Sequence, residues 1–134
     1  MNTMKAVVVE DFKLIATIWE TLLKDLGFDE VHVFHHADGV KEGILEIKPD
    51  IVFMDVNLPG SMNGLDITED VIKVNSDIKV MMLTIHTDPS YIQRAFAIGA
   101  KGFVTKNSPI SEIKEAVKAI LEGKTYLCKE IGEI

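Results

Sequence analysis

The stretch 51-IVFMDVNLPGSMNG-64 opens on four consecutive apolar residues and sets an ionisable carboxylate, Asp55, directly at their end. Four apolar residues without a polar alternate suit a strand covered on both faces. A carboxylate left unpaired against the end of such a strand costs desolvation energy, so the rest of the chain must compensate for it.

Similar runs recur on either side: "AVVV" at 6–9, "VMML" at 80–83, and the weaker "VHVF" at 31–34 and "GFV" at 102–104. Helical patterns lie between them. The clearest are Ile15, Ile18, Trp19, Leu22 and Leu26, closed by Gly27, and Ile110, Ile113, Val117, Ile120 and Leu121, closed by Gly123. Prolines follow Asp88 and Ser108 where helices should begin, and Pro49 bars the second helix from continuing past Lys48. Strict alternation of strand and helix predicts an α/β fold: a doubly wound parallel sheet of five strands with right-handed crossovers. His32 inside the second strand and the shortness of the fifth make these two the expected edges, which gives a flavodoxin-like order of 2-1-3-4-5.

The totals restrict what such a domain can do. The chain has 134 residues, 47% of them hydrophobic, enough for one core without disulfides or a structural metal. No apolar run approaches the length of a membrane span and no basic region precedes one near Met1, so a cytoplasmic protein with no membrane contact is expected. With 14 basic against 21 acidic residues and a net charge of −7, a nucleic-acid backbone would repel this segment. The single cysteine, Cys128, has no internal disulfide partner and no matching His and acid, and reads as inert. His35 and His36 lack a metal-spaced partner and read as surface residues. Residues 1–123 form the expected domain, with 124–134 a tail or the start of a linker.

In a doubly wound sheet the carboxyl ends of the strands form the ligand-binding rim. Here the first strand runs into Glu10 and Asp11, the third into Asp55, the fourth into Thr84 and the fifth into Lys106. Three acids on one rim repel each other unless a hard cation sits among them, and oxygen ligands select Mg²⁺. Glu10 and Asp11 then read as metal ligands, Asp55 as ligand and nucleophile, and the backbone carbonyl of Asn57 as a neutral ligand. A carboxylate beside a metal can take a phosphoryl group as an aspartyl phosphate, with the Thr84 hydroxyl and the Lys106 ammonium on the added oxygens.

The segments "VVVED", "IVFMDVNLPG", "VMMLT" and "GAKGFVTKNSP" together resemble the receiver domain of bacterial two-component response regulators, from about Met4 to Gly123. The resemblance implies that Asp55 is the site phosphorylated by a sensor histidine kinase, and that Glu10 and Asp11 are the acidic pair. It makes Thr84 the switch threonine, Lys106 the lysine of the fifth strand, and Phe103 the aromatic that turns inward when Thr84 moves toward the phosphoryl group. The face of the fourth helix, fifth strand and fifth helix would then change its partners, a phosphorylation-dependent homodimer among them. The run from Ala97 to Leu127 further resembles receivers that precede a LuxR-type helix-turn-helix domain, so DNA would be met only through such a domain and the chain is either a piece ending in a linker or a stand-alone receiver.

Two features depart from the family pattern. Gly64 lies nine residues after Asp55 where eight is usual, which predicts an unusual path for the loop around Gly60 and Ser61. Ile85 and His86 follow Thr84 where a small residue usually comes first, beside the approach of the hydrolytic water.

Two other readings compete. A haloacid-dehalogenase-like phosphatase would need a general acid two residues after its nucleophile, where this chain has Asn57. A flavodoxin-like FMN carrier would need a small polar phosphate loop after the first strand, where this chain has "EDFK".

Overall fold

A computed structural model of the chain describes residues 3–60, 62–85 and 88–132. Strands β1 (Lys5–Val9), β2 (Glu30–Phe34), β3 (Ile51–Asp55), β4 (Val80–Thr84) and β5 (Gly102–Thr105) alternate with helices α1 (Lys13–Asp25), α2 (Val40–Ile47), α3 (Gly64–Val74), α4 (Pro89–Ala97) and α5 (Ile110–Leu121). A sixth strand, β6 (Tyr126–Leu127), and a short helix, α6 (Lys129–Gly132), follow. All strand pairs are parallel, in the order β2-β1-β3-β4-β5-β6.

The five-stranded expectation is therefore short by one strand at one edge. Tyr126 and Leu127 pair with Gly102 and Phe103, making β5 an inner strand. β2 remains an edge, and its residues are only partly covered, whereas every residue of β3, β4 and β5 is buried.

Register fixes which side chains share a face. Phe53, Met81 and Gly102 are partners across β3, β4 and β5. The Phe53 ring meets Trp19 of α1 edge-on at 6.2 Å, and a Cβ on Gly102 would lie 2.7 Å from Ile120 of α5. This face therefore packs on α1 and α5. Met54, Met82 and Phe103 occupy the other face, where the Thr68 hydroxyl of α3 lies 3.6 Å from the Met82 sulfur.

Helix ends follow local chemistry. Asp88 caps α4 by accepting the Ser90 N–H at 2.9 Å, with Pro89 in the first turn. Pro109 stands at the N-cap of α5 rather than inside it. Lys48 closes α2 with a left-handed φ of 54°, directly before Pro49.

Candidate functional site

β1 and β3 are neighbours, so their carboxyl ends put Glu10 and Asp11 beside Asp55. One carboxylate oxygen from each of the three lies within 4.8 Å of the others. Glu10 and Asp55 are 1% and 5% exposed, while Asp11 faces solvent. The compensation that a buried Asp55 requires comes from the end of β5. Lys106 Nζ lies 2.8 Å from Asp55 Oδ2, to which it donates a hydrogen bond, and 2.6 Å from Glu10 Oε1. The two carboxylates therefore share one ammonium, and Glu10 Oε1 has no partner besides it among the described residues.

The electrostatics follow from this packing. Burial raises the Glu10 pKa above its ordinary value; the Lys106 hydrogen bond opposes the shift, and the Asp55 charge adds to it. Burial alone would lower Lys106, but hydrogen bonds and charges from Asp55 and Glu10 outweigh it and hold the ammonium above the usual lysine value.

Backbone groups fix the carboxylates. Glu10 N–H donates to Phe34 O at 2.9 Å, Phe12 N–H donates to Glu10 Oε2 at 3.2 Å, and Asn57 N–H donates to Asp55 Oδ1 at 3.2 Å. Gly64 opens α3 against the site. A Cβ there would stand 1.9 Å from the Asp55 carbonyl oxygen, so no other residue fits without moving the strand end. The loop before Gly64 leans on the β2–α2 connection: Pro59 O accepts the Ala37 N–H at 2.9 Å, and Gly60 adopts φ +123° beside the Ala37 side chain. Ser61 and His86 lie outside the described residues.

Of the residues singled out in the sequence, Glu10, Asp11, Asp55 and Lys106 meet on one rim. Thr84 ends β4 one residue beyond Leu83, the register partner of Asp55, and is fully buried. Asn57 is exposed in the loop that follows Asp55. Ile85 is 65% exposed beside this rim.

Phe103, the aromatic expected to turn when Thr84 moves, is fully buried in this structure, on the sheet face it shares with Met54 and Met82. His35 was read as a surface residue, but it is half-buried and its Nδ1 donates to the Glu10 carbonyl at 3.0 Å. His36 is exposed, as expected. Sequence reasoning missed Thr105, Ser108 and Glu112, three buried polar residues around the end of β5.

The donor set fits a hard divalent cation: three clustered carboxylates, two of them buried. Among the described residues no helix is long and apolar enough to cross a membrane.

Comparison with known proteins agrees with this arrangement. Residues 6–118 match the response regulator receiver domain family. The response regulator GacA of Pseudomonas syringae is 32% identical over 132 residues, covering 96% of this chain and 60% of the relative. The oxygen regulatory protein NreC of Staphylococcus carnosus is 31% identical over 126 residues, covering 92% of this chain and 58% of the relative. This chain thus spans about 60% of the length of such relatives. Among solved structures, a LuxR-family two-component response regulator from Aurantimonas superposes with a TM-score of 0.90 at 28% identity, over 98% of this chain and 94% of that one. The isolated receiver domain of RcsB from Salmonella enterica, at 15% identity, shares the fold with a TM-score of 0.89 over 98% of each chain. A signalling domain, rather than a phosphatase or a flavin carrier, is what these likenesses support, and the chain belongs to the response regulator receiver domain family.

Proposed function

We propose that this chain is a phosphorylation-activated switch whose acceptor is Asp55 and whose donor is the phosphohistidine of a sensor histidine kinase. The observation that carries the reading is Lys106 Nζ bridging Asp55 and Glu10, a cation brought from the end of β5 to two buried carboxylates.

In the transfer, an Asp55 carboxylate oxygen forms the new bond to phosphorus, the bond from phosphorus to the donor nitrogen breaks, and the donor imidazole keeps the electron pair and takes a proton. Asp55 is suited to attack because the Asn57 N–H and the Lys106 ammonium fix both of its oxygens. Lys106 then stands beside the added negative charge, and Thr84, at the end of the adjacent strand, offers a hydroxyl to another phosphoryl oxygen. Glu10, Asp11, Asp55 and the Asn57 carbonyl would hold Mg²⁺. Bound there, Mg²⁺ supplies neutralisation of the charge that builds up on the transferring oxygens.

Thr84 is the residue whose displacement signals phosphorylation, and Phe103 is the buried ring that ties β5 to that displacement. The output is a change at the α4, β5 and α5 face, read in the cytoplasm by another protein or by a second copy of the chain. Regulation of transcription through a DNA-binding domain, as in the LuxR-type relatives, belongs to this proposal and not to the segment itself.

Beryllofluoride with Mg²⁺ tests the switch by NMR. Amide shifts at Tyr91–Ile98 and Gly102–Val104 are expected to change. Shifts confined to the residues beside Asp55 would sink the switch.

A further inference from the structure

The residues after Gly123 carry more polar contacts to the domain than an unstructured tail would need. Tyr126 Oη lies 2.9 Å from Glu112 Oε2 and 3.2 Å from Glu115 Oε2, one proton between two carboxylates of α5. The Lys129 N–H donates to the same Glu112 Oε2 at 2.7 Å, so a single, nearly buried carboxylate holds both β6 and the start of α6. Cys128 N–H donates to Phe103 O at 3.1 Å, and the Cys128 and Ile131 side chains complete the core beside β5. Lastly, Thr105 Oγ1 donates to Glu130 Oε2 at 3.0 Å and lies 3.1 Å from Ser108 Oγ, whose own proton must serve that contact.

Thr105 is the connection to the rim. It pairs in register with Thr84, it precedes Lys106, and the Lys106 N–H donates to the Thr84 carbonyl at 3.0 Å. The arrangement seen here has Lys106 drawn down onto Glu10 and Asp55. Anything that occupies the acid rim competes for those oxygens and so shifts Lys106, the residue next to Thr105. The Thr105–Glu130 bond joins that end of β5 directly to α6.

We propose that Tyr126–Ile131 is a latch, held shut by Glu112 and by the Thr105–Glu130 bond, that favours the empty rim and opens when the rim is filled. The inference rests on the reading of Asp55 and its neighbours as the phosphoryl site. By linkage it is reciprocal: whatever loosens the latch strengthens binding at the rim by the same factor.

The chain supplies its own reporter. Cys128 is its single cysteine and is fully buried inside the latch, so its rate of alkylation measures how often the latch opens. Iodoacetamide labelling, followed by intact mass, is compared with and without beryllofluoride plus Mg²⁺, in the wild type, Glu130→Ala and Glu112→Ala. The wild type is expected to label faster when beryllofluoride is bound. Labelling through global unfolding would instead slow down, because a ligand of the folded state stabilises it, so the sign separates the two routes. Glu130→Ala removes the acceptor of one hydrogen bond at an exposed position and is expected to raise the basal labelling rate about two- to twelvefold. Its affinity for beryllofluoride, measured by fluorescence of Trp19 or by NMR, should rise by the same factor. Should Glu112→Ala fail to fold, Glu130→Ala alone decides. Bound beryllofluoride with unchanged or slower Cys128 labelling overturns the latch and leaves the reading of Asp55 standing. No beryllofluoride binding at all overturns both.

Discussion

Replacing Lys106 with methionine keeps the length of the side chain and removes its charge, which isolates what the ammonium does for the two acids beneath it. Glu10 and Asp55 would then face each other at 1% and 5% exposure with no cation between them. Deleting one partner of a buried ion pair costs about 3–5 kcal/mol. The Lys106 side chain is 16% exposed and Asp11 is open to water, so the rim is screened on one side and about 3 kcal/mol is the appropriate figure. For a chain of this size that lowers Tm by about 10 °C. The pH dependence has a definite sign. The folded-state pKa of Glu10 is raised above 4.5, so ionising it costs folded stability, and that cost disappears as pH falls through the raised value toward 4.5. Without Lys106 the repulsion is larger, so acidification should narrow the gap between variant and wild type. The folded-state pKa of Lys106 is raised above 10.5, so its contribution is full below 10.5 and is lost as pH rises through the raised value. The gap should narrow there as well. Melts followed by circular dichroism at neutral pH, near 4.5 and above 10.5 give the comparison, and Mg²⁺ should recover more Tm for the variant than for the wild type. A neutral-pH difference under about 1 °C, or a gap that widens in acid, would refute the reasoning.

Gly64→Ala should destabilise the domain by about 3 kcal/mol or more, because its Cβ would meet the Asp55 carbonyl at 1.9 Å and the obstacle is backbone; a melt within a degree or so of wild type would show that the strand end yields. Ile85→Ala should leave Tm unchanged, since Ile85 is 65% exposed, and should shorten the lifetime of the phosphoryl group severalfold by clearing the approach of water. A loss of about 1 kcal/mol in barrier corresponds to about a fivefold faster release. Equal decay in a phosphate-release time course would remove Ile85 from that role.

The inner strands were legible in the sequence because β1, β3 and β4 are covered on both faces and therefore read as unbroken apolar runs. Their ends were legible for the same reason: a charge or hydroxyl at the close of such a run, as at Glu10, Asp55 and Thr84, stands out against its surroundings. β6 was not legible. Two residues, Tyr126 and Leu127, show no period, and their strand character comes from the free edge of β5 rather than from their own sequence. Missing that strand made β5 an expected edge. Glu112 sits in an amphipathic helix where acids normally face water, and only the return of Tyr126 and Lys129 across α5 buries it. His35 escaped notice because its partner is a backbone carbonyl, which leaves no trace in the pattern of side chains.

The central claim is that Asp55 accepts a phosphoryl group. Its most direct measurement is the intact mass of the chain after incubation with acetyl phosphate and Mg²⁺, with peptide mapping of the modified residue. The wild type is expected to gain one acid-labile phosphoryl group mapped to Asp55, to lose it on treatment with hydroxylamine, and to gain none without Mg²⁺. Asp55→Asn should gain none under any of these conditions. A single labile phosphoryl group retained by Asp55→Asn, or one in the wild type that maps elsewhere, would contradict the account.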